Sequence, residues 1–435
     1  MSGGPMKLKL HWQIAIALFL SIALSVFIKI LDLGDGAFAT GLTSSSEFIG
    51  KFFMNALKMI IVPLIMSSII CGIMGLGSDK NFGRIGGKVL LYYSVTGLLA
   101  IITGLIIVNV IRPGVVDVDL AHQIIGQAEQ SEAFVGKFEG RGAGELVNIF
   151  LRMVPPNIIE AATDNGQLLG LITFSLLFGF FISHLPEKQR EFQTNLWESI
   201  QSVMMRITDL VIRFAPIGVF GLVTPILLRT GFSAFRPLLL FFLTVVLGLG
   251  IHFFVTLGLL LKIFGKVNPF LHYRAMAPVM VTAFSTASSS ATLPVTMEKV
   301  QNDAGVSKGT SSFTLPLGAT VNMDGTALYE CVVVIFIGQI YGVIQGFEIS
   351  FATQFTVVLL ALLTSVGVAG IPSASLVAIT VILGVVGLPL EAVGLVWVTD
   401  RVLDMARTAV NVFSDTCGAV IIAKTEGEPN IYTEP

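Results

Sequence analysis

The stretch VLDMARTAVNVFSDT, Val402 to Thr416, lies between the apolar runs GLVWV and GAVIIA yet carries Asp404, Arg407, Asn411 and Asp415. Wound as a helix, Asp404, Thr408, Asn411 and Asp415 follow one another at steps of 4, 3 and 4 and share one stripe, with Arg407 at its border. Each Asp or Arg costs about 2.5–3.5 kcal/mol at the centre of an isolated membrane span, so the stripe has to face a polar interior. Simple pairing of Asp404 with Arg407 would leave Asp415 unexplained. Earlier in the chain, NMDGT (322–326) sets two oxygen-bearing residues, Asn322 and Asp324, beside Gly325, which relaxes the backbone and frees carbonyls. Such hard oxygens suit a small cation such as Na⁺. One motif rarely supplies every oxygen a cation needs, and Asn411 and Asp415 can complete the set. Glu330, six residues beyond Asp324 in LYECVVVIFI, has no basic neighbour in its segment and is a candidate proton carrier.

Composition says what must hold these groups. Of 435 residues 54% are hydrophobic and 12% charged, against roughly 25% charged in soluble domains; a water-exposed surface could not be covered, and an all-α integral membrane protein is expected. Apolar runs at 11–31, 48–75, 88–111, 166–184, 204–228, 237–264, 309–344 and 376–399 are each near or above the roughly 20 residues that cross a bilayer as helix. Barrel strands would alternate instead. Basic residues gather at Lys80, Arg84 and Lys88, at Lys188 and Arg190, and at Lys262, Lys266 and Arg274, while 32–47 has none and 116–146 is mainly acidic and reads as a mobile loop. The positive-inside rule then puts both termini in the cytoplasm, with Arg229 and Arg236 against the trend. The net charge of −2 argues against a nucleic-acid partner. Cys71, Cys331 and Cys417 stand singly and read as reduced packing residues. The five histidines are scattered and no serine sits in a nucleophile-type turn, so neither an enzyme nor a cofactor is expected. Lys7 and Lys9 precede an apolar run without a small-residue cleavage site, which reads as the first span, and MSGGP before it reads as a tag remnant.

Most spans before residue 230 are ordinary, although 186–222 passes from amphipathic to apolar and is expected to kink at Pro216. The pattern changes from 268 onward. FSTASSSATLPVT (284–296) is small and hydroxyl-rich and closes on Pro294; TSVGVAGIPSASLVAIT (364–380) repeats the device with Gly367, Gly370 and Pro372. Each reads as a re-entrant hairpin, and each is followed by an apolar helix interrupted by polar residues. Paired interrupted segments are the sign of an inverted-repeat transporter with a site near the membrane midplane. Close-packed helix pairs rich in small residues are the plainer reading of either hairpin alone.

SSSATLPVTM, LPLGATVNMDGTALYE, AGIPSASLV, VGLPLE and LDMARTAVNV, in this order, resemble the dicarboxylate/amino acid:cation symporter family, which includes excitatory amino acid transporters and bacterial glutamate/aspartate symporters. The resemblance implies a homotrimer whose protomers have eight membrane helices and two hairpins and work by an elevator mechanism. It implies a scaffold from 1–84 and from 145–231, where the trimer contacts lie, and an extracellular loop at 119–144. Residues 85–118 and 232–435 would form the mobile transport domain. By resemblance Arg407 binds the substrate's side-chain carboxylate and Asp404 its α-amino group, with Thr326, Thr408, Asn411 and the backbone of Ser289 and Ile371 as further contacts. A guanidinium reads a carboxylate bidentately and a carboxylate reads an ammonium, so both residues together imply glutamate or aspartate.

For Na⁺ the resemblance implies three sets: Asn322, Asn411 and Asp415; Thr320, Met323, Ser365 and Val366; and Tyr93, Thr96, Asn322 and Asp324. Glu330 matches the glutamate linked to proton coupling in some members. Two departures stand out. Gly97 occupies a position where relatives often have a hydroxyl, and neither Ala287 nor Met405 is the arginine that relatives place at one or the other position. Arg401, four residues before Met405 on the same helical face, either stands in for that arginine or makes a plain local ion pair. The reading is a Na⁺-coupled importer of acidic amino acids in the cell membrane, with protons as a possible second ion. A proton-driven glutamate or C4-dicarboxylate symporter is the alternative. An ion channel would need a continuous polar path that the sequence does not provide.

Overall fold

A computed structural model describes residues 10–30, 37–74, 83–125, 151, 153–163, 168–230, 235–365, 374–429 and 431–432. Among the described residues the regular elements are all helical. The first part comprises α1 (Leu10–Ile30), α2 (Ala37–Met74), α3 (Gly83–Ile111), α4 (Val118–Ile125), α5 (Ile158–Thr163), α6 (Leu168–Ser183), α7 (Glu187–Arg213) and α8 (Ala215–Thr230). The second comprises α9 (Phe235–Gly265), α10 (Pro269–Thr286), α11 (Ser289–Asn302), α12 (Lys308–Val321), α13 (Asp324–Gln345), α14 (Phe351–Ser365), α15 (Ala374–Val386) and α16 (Trp397–Thr425).

Arg84–Ile111, Phe235–Gly265 and Lys308–Gln345 are, among the described residues, long and apolar enough to cross a membrane. The outer faces say what surrounds them. On α3, Leu91, Val95, Leu98, Ile102 and Ile106 recur at helical spacing and are all exposed. A contiguous apolar stripe of that length marks a surface made for lipid or for another protein. α13 is the opposite case, since every residue from Asp324 to Tyr341 is buried. A helix that is apolar nearly all round belongs in the centre of a bundle.

α2 packs against α6, α7 and α8, and α1 against α8. Gly50 and Gly221 bring α2 and α8 into backbone contact, for a Cβ on Gly221 would lie 2.6 Å from the Gly50 nitrogen. α3 packs against α9 and α13, and α16 against α10, α12 and α13. The expected first hairpin is a pair of packed helices, α10 and α11, that turn at Ala287 in the left-handed region (φ 49°), with Ser288 capping α11 through Ala291 N–H. α14 and α15 form the second pair; its tip, with Gly367, Gly370 and Pro372, lies outside the described residues.

Some boundaries differ from the sequence expectation. The expected apolar run 376–399 is not one helix: α15 stops at Val386, Gly387 takes φ 81°, and a 3₁₀ stretch, Leu390–Val396, leads into α16. Pro389 cannot donate to a helical ladder and Gly387 supplies the left-handed turn, so the chain redirects there. The expected kink at Pro216 is a break one step earlier: α7 ends at Arg213 and α8 restarts at Ala215. Pro216 thereby sits in the first turn, where its missing N–H costs nothing. Residues 37–47, read as connection, belong to α2, and the loop expected at 116–146 contains α4. Cys331 and Cys417 are buried free thiols, and Cys71 is a partly buried one.

Past α16 the chain folds back on the bundle. Glu426 accepts from Lys88 Nζ at 2.6 Å and pairs with Arg84, and the Lys88 hydrogen bond, ahead of Arg84, holds its carboxyl below the ordinary value. Glu428 accepts from the Ser307 N–H at 2.8 Å and the Ser307 and Thr310 hydroxyls at 2.7 and 2.5 Å. A carboxylate at the start of α12 suits the positive end of the helix dipole. These contacts tie α3 and α12 to the end of α16.

Candidate functional site

The site forms where the interrupted α12–α13 helix meets α16. Asn322 (φ −98°, ψ 82°) and Met323 (φ −111°, ψ 54°) leave the helical region, so α12 ends and α13 begins inside the bundle. A fresh helix start has backbone N–H groups without intrahelical partners. Asn411 of α16 supplies one from outside: its Oδ1 accepts from Gly325 N–H at 2.7 Å and lies 3.3 Å from Thr326 N. Gly325 is what allows this approach, since a Cβ there would lie 2.8 Å from the Arg407 carbonyl oxygen. The Asn411 amide donates to Thr326 Oγ1 at 3.1 Å and lies 3.2 Å from Met323 Sδ.

The Asn322 amide donates to Asp415 Oδ1 at 2.8 Å and to Ser414 Oγ at 3.0 Å. Thr96 Oγ1, from α3, lies 3.3 Å from Asn322 Oδ1. Ser414 donates to Asp324 Oδ2 at 2.6 Å. Thr96, Asn322, Asp415, Ser414 and Asp324 are thus brought into one buried network, and Asn411, with Met323 and Thr326, adjoins it at the start of α13. Tyr93 reaches its border: the hydroxyl donates to the Thr314 carbonyl at 2.7 Å, and a Cβ on Gly318 would meet both Tyr93 and Asp415. The described hydrogen bonds of Thr320 and Ser365 stay within their own helices, to Leu317 and Leu362 carbonyls. Val366 and Ile371 lie outside the described residues. Ser289 is buried at the first position of α11.

One turn along, the charged residues of α16 form a second cluster. Arg407, fully buried, donates to Asp404 Oδ1 at 2.8 Å and to Asp400 Oδ1 at 3.1 Å, and its guanidinium carbon lies 3.8 Å from the centre of the Tyr329 ring. Tyr329 donates to Asp400 at 3.0 Å, and Arg401 Nη1 lies 3.5 Å from Asp404 Oδ2. Two arginines and two aspartates neutralise one another here. Asp404 and Arg407, which the resemblance sets on opposite ends of one molecule, are bonded to each other, and Arg401 is within ion-pair distance of Asp404. The Thr408 hydroxyl donates to the Asp404 carbonyl at 2.8 Å. Glu330 is buried on α13, with Oε2 accepting from Thr364 of α14 at 2.8 Å and Oε1 without a partner among the described residues.

Sequence reasoning missed several participants. Asp400, raised by the sequence only as a companion of Arg401, continues the α16 stripe four residues before Asp404, and Ser414 lies three residues after Asn411, so helical spacing could have placed both in the site. Tyr329 could have been found only through its neighbour Glu330. His252, whose Nε2 lies 3.1 Å from Asp324 Oδ2, stands in an apolar run with no local signal.

An apolar bundle with a buried, oxygen-rich helix break beside a buried ion-pair cluster is the arrangement of a membrane transporter, and comparison with known proteins gives its family. The model of the sodium:dicarboxylate symporter family matches residues 10–425. The chain is 34% identical over 420 residues to the proton/glutamate-aspartate symporter of Escherichia coli (strain K12), covering 97% of this chain and 93% of that one. It is 33% identical over 424 residues to the proton/sodium-glutamate symport protein of Geobacillus stearothermophilus, covering 98% and 96%. To excitatory amino acid transporter 3 of Mus musculus it is 32% identical over 456 residues, covering 96% and 86%. The chain belongs to the sodium:dicarboxylate symporter family. It is a transporter of the membrane and not an enzyme.

Proposed function

We propose that the protein imports acidic amino acids, glutamate or aspartate, by symport with Na⁺. The observation that carries this reading is the meeting of two clusters on α16: the Asp404–Arg407 ion pair, and the Asn322, Asp324, Asn411 and Asp415 network one to two turns away. An incoming acidic amino acid offers a carboxylate and an ammonium. Its side-chain carboxylate replaces Asp404 at Arg407, and the released Asp404 turns to the ammonium. Such an exchange keeps every buried charge paired, which limits the desolvation penalty of several kcal/mol per ion. Thr326, Thr408 and Asn411 flank that position, and Ser289 and Ile371 offer backbone from the two hairpins.

In this reading Asn322, Asn411 and Asp415 hold one Na⁺, and Thr96, Asn322 and Asp324, with Tyr93 at the border, hold another. Thr320, Met323, Ser365 and Val366 form a further set through backbone oxygens. Glu330 carries a proton, Arg401 steadies Asp404, and Na⁺ is a transported ion rather than a resident cofactor. The transport domain, 85–118 and 232–435, slides past a scaffold of 1–84 and 145–231 that holds a homotrimer together in the cell membrane, with both termini cytoplasmic and 119–144 outside. The packing of α2 with α6–α8, and of α3 with α9 and α13, supports that division. Hairpins α10–α11 and α14–α15 are the re-entrant elements of an inverted repeat within eight membrane helices.

A second reading, a proton-driven glutamate or C4-dicarboxylate symporter, is favoured by one observation, the Oε1 of buried Glu330, which has no partner among the described residues. Arg407 separates this transport chemistry from mere structure. Removing one partner of a buried pair costs about 3–5 kcal/mol, at 1.4 kcal/mol per tenfold. Arg407→Cys is therefore expected to lower glutamate and aspartate affinity more than about a hundredfold while admitting neutral amino acids, read by competition against labelled aspartate. Retained acidic affinity in a folded variant would contradict the assigned role.

A further inference from the structure

α9 is not wound uniformly. Two of its turns, His252–Thr256 and Leu261–Gly265, are π-helical, a winding that is rare and often found at functional sites. The first turn is braced from α10: Tyr273 donates its hydroxyl to the Phe253 carbonyl at 2.6 Å, and its ring stacks on Phe413 of α16 with centroids 4.7 Å apart. What the turn delivers is His252, fully buried, with Nε2 3.1 Å from Asp324 Oδ2. An ionised carboxylate only accepts, so Nε2 carries the hydrogen. His252 Nδ1 has no partner among the described residues, which leaves the bond to Asp324 as the ring's polar anchor.

Asp324 is then asymmetric. Oδ2 takes two donors, His252 from α9 and Ser414 from α16. Oδ1 is buried and has no hydrogen-bond partner among the described residues. It faces α3 at the residue without a side chain, since a Cβ on Gly97 would lie 3.6 Å from Oδ1. Next to Gly97, the Thr96 hydroxyl lies 3.3 Å from Asn322 Oδ1, so further hard oxygens line the same side. A bare buried carboxylate oxygen is costly to keep unless a cation or donor meets it.

We propose that His252 is a positioning residue for cation binding: with Ser414 it holds Oδ2 of Asp324 and so turns Oδ1 toward α3 as the ligand for a monovalent cation. The π-turn sets the ring, and Tyr273 sets the turn. This rests on the reading of Asp324 as a Na⁺ ligand and adds α9 to the elements that shape the site. Partners behind a metal's direct ligands typically change affinity 10–100-fold when removed.

The test is a Na⁺ titration of the purified protein without substrate, followed by the rise in melting temperature, with choline chloride as the ionic control. His252→Leu is expected to raise the half-saturating Na⁺ concentration by about tenfold or more. His252→Gln, whose amide N–H can reach the same oxygen, should recover most of the loss, and Tyr273→Phe should fall between. A packing role alone would make Gln as poor as Leu; that result, or an unmoved curve for His252→Leu, overturns the proposal. If His252→Leu does not fold, Tyr273→Phe decides, a shifted curve supporting and an unmoved one overturning it. Asp324→Asn tests the underlying reading separately: a wild-type titration there removes the Asp324 site itself, whereas loss in Asp324→Asn with an unmoved His252→Leu removes only the role of His252.

Discussion

Glu330 joins the two interrupted halves of the site, since it sits on α13 and accepts from Thr364 of α14. In the proposed function this carboxyl passes a proton between the helix break and the second helix pair. Glu330→Gln keeps the shape and the acceptor for Thr364 and removes the ionisable group. Uptake by this variant is expected to lose its pH dependence, while substrate binding at the permissive pH persists. An unchanged pH profile would remove the carrier role. The α16 groups were legible because helical spacing alone places Asp404, Thr408, Asn411 and Asp415 on one face. Glu330 was legible from its lack of any basic neighbour. His252, drawn from α9, was not: it meets Asp324 across 72 residues of sequence, through a π-turn that leaves no periodic trace.

At the scale of elements, the helix break depends on how closely α13 lies on α16. Gly325 permits that distance, and an added Cβ would also come within 3.1 Å of Asn411 Oδ1. Alanine is the better helix former by about 0.8–1 kcal/mol, whereas overpacking costs about 1–3 kcal/mol. Gly325→Ala is therefore expected to lower thermal stability despite its helix propensity and to weaken Na⁺-dependent substrate binding, both measurable on purified protein. A more stable variant with intact binding would mean that α16 can move away freely. NMDGT disclosed this break because Gly and hydroxyl or carboxyl groups interrupt an otherwise apolar run. The end of α15 was missed because 376–399 is apolar but for Glu391, Thr380 and Thr399, and the long apolar stretch outweighed Gly387, Pro389 and Glu391, which redirect the chain.

For the whole molecule, α13 is enclosed on every side while α3 turns an apolar stripe outward, so the ionic clusters lie in the packed centre behind an apolar exterior. Buried charges have to stay paired, so the proposed function requires that each acidic substrate enter together with ions that keep the network neutral. The most direct measurement is uptake of labelled aspartate and glutamate into proteoliposomes with Na⁺, H⁺ and K⁺ gradients imposed one at a time. The expected result is concentrative uptake of at least one of the two under an inward Na⁺ gradient, increased by an inward H⁺ gradient. Uptake driven by the H⁺ gradient alone, or no uptake above leak under the Na⁺ gradient, would contradict it.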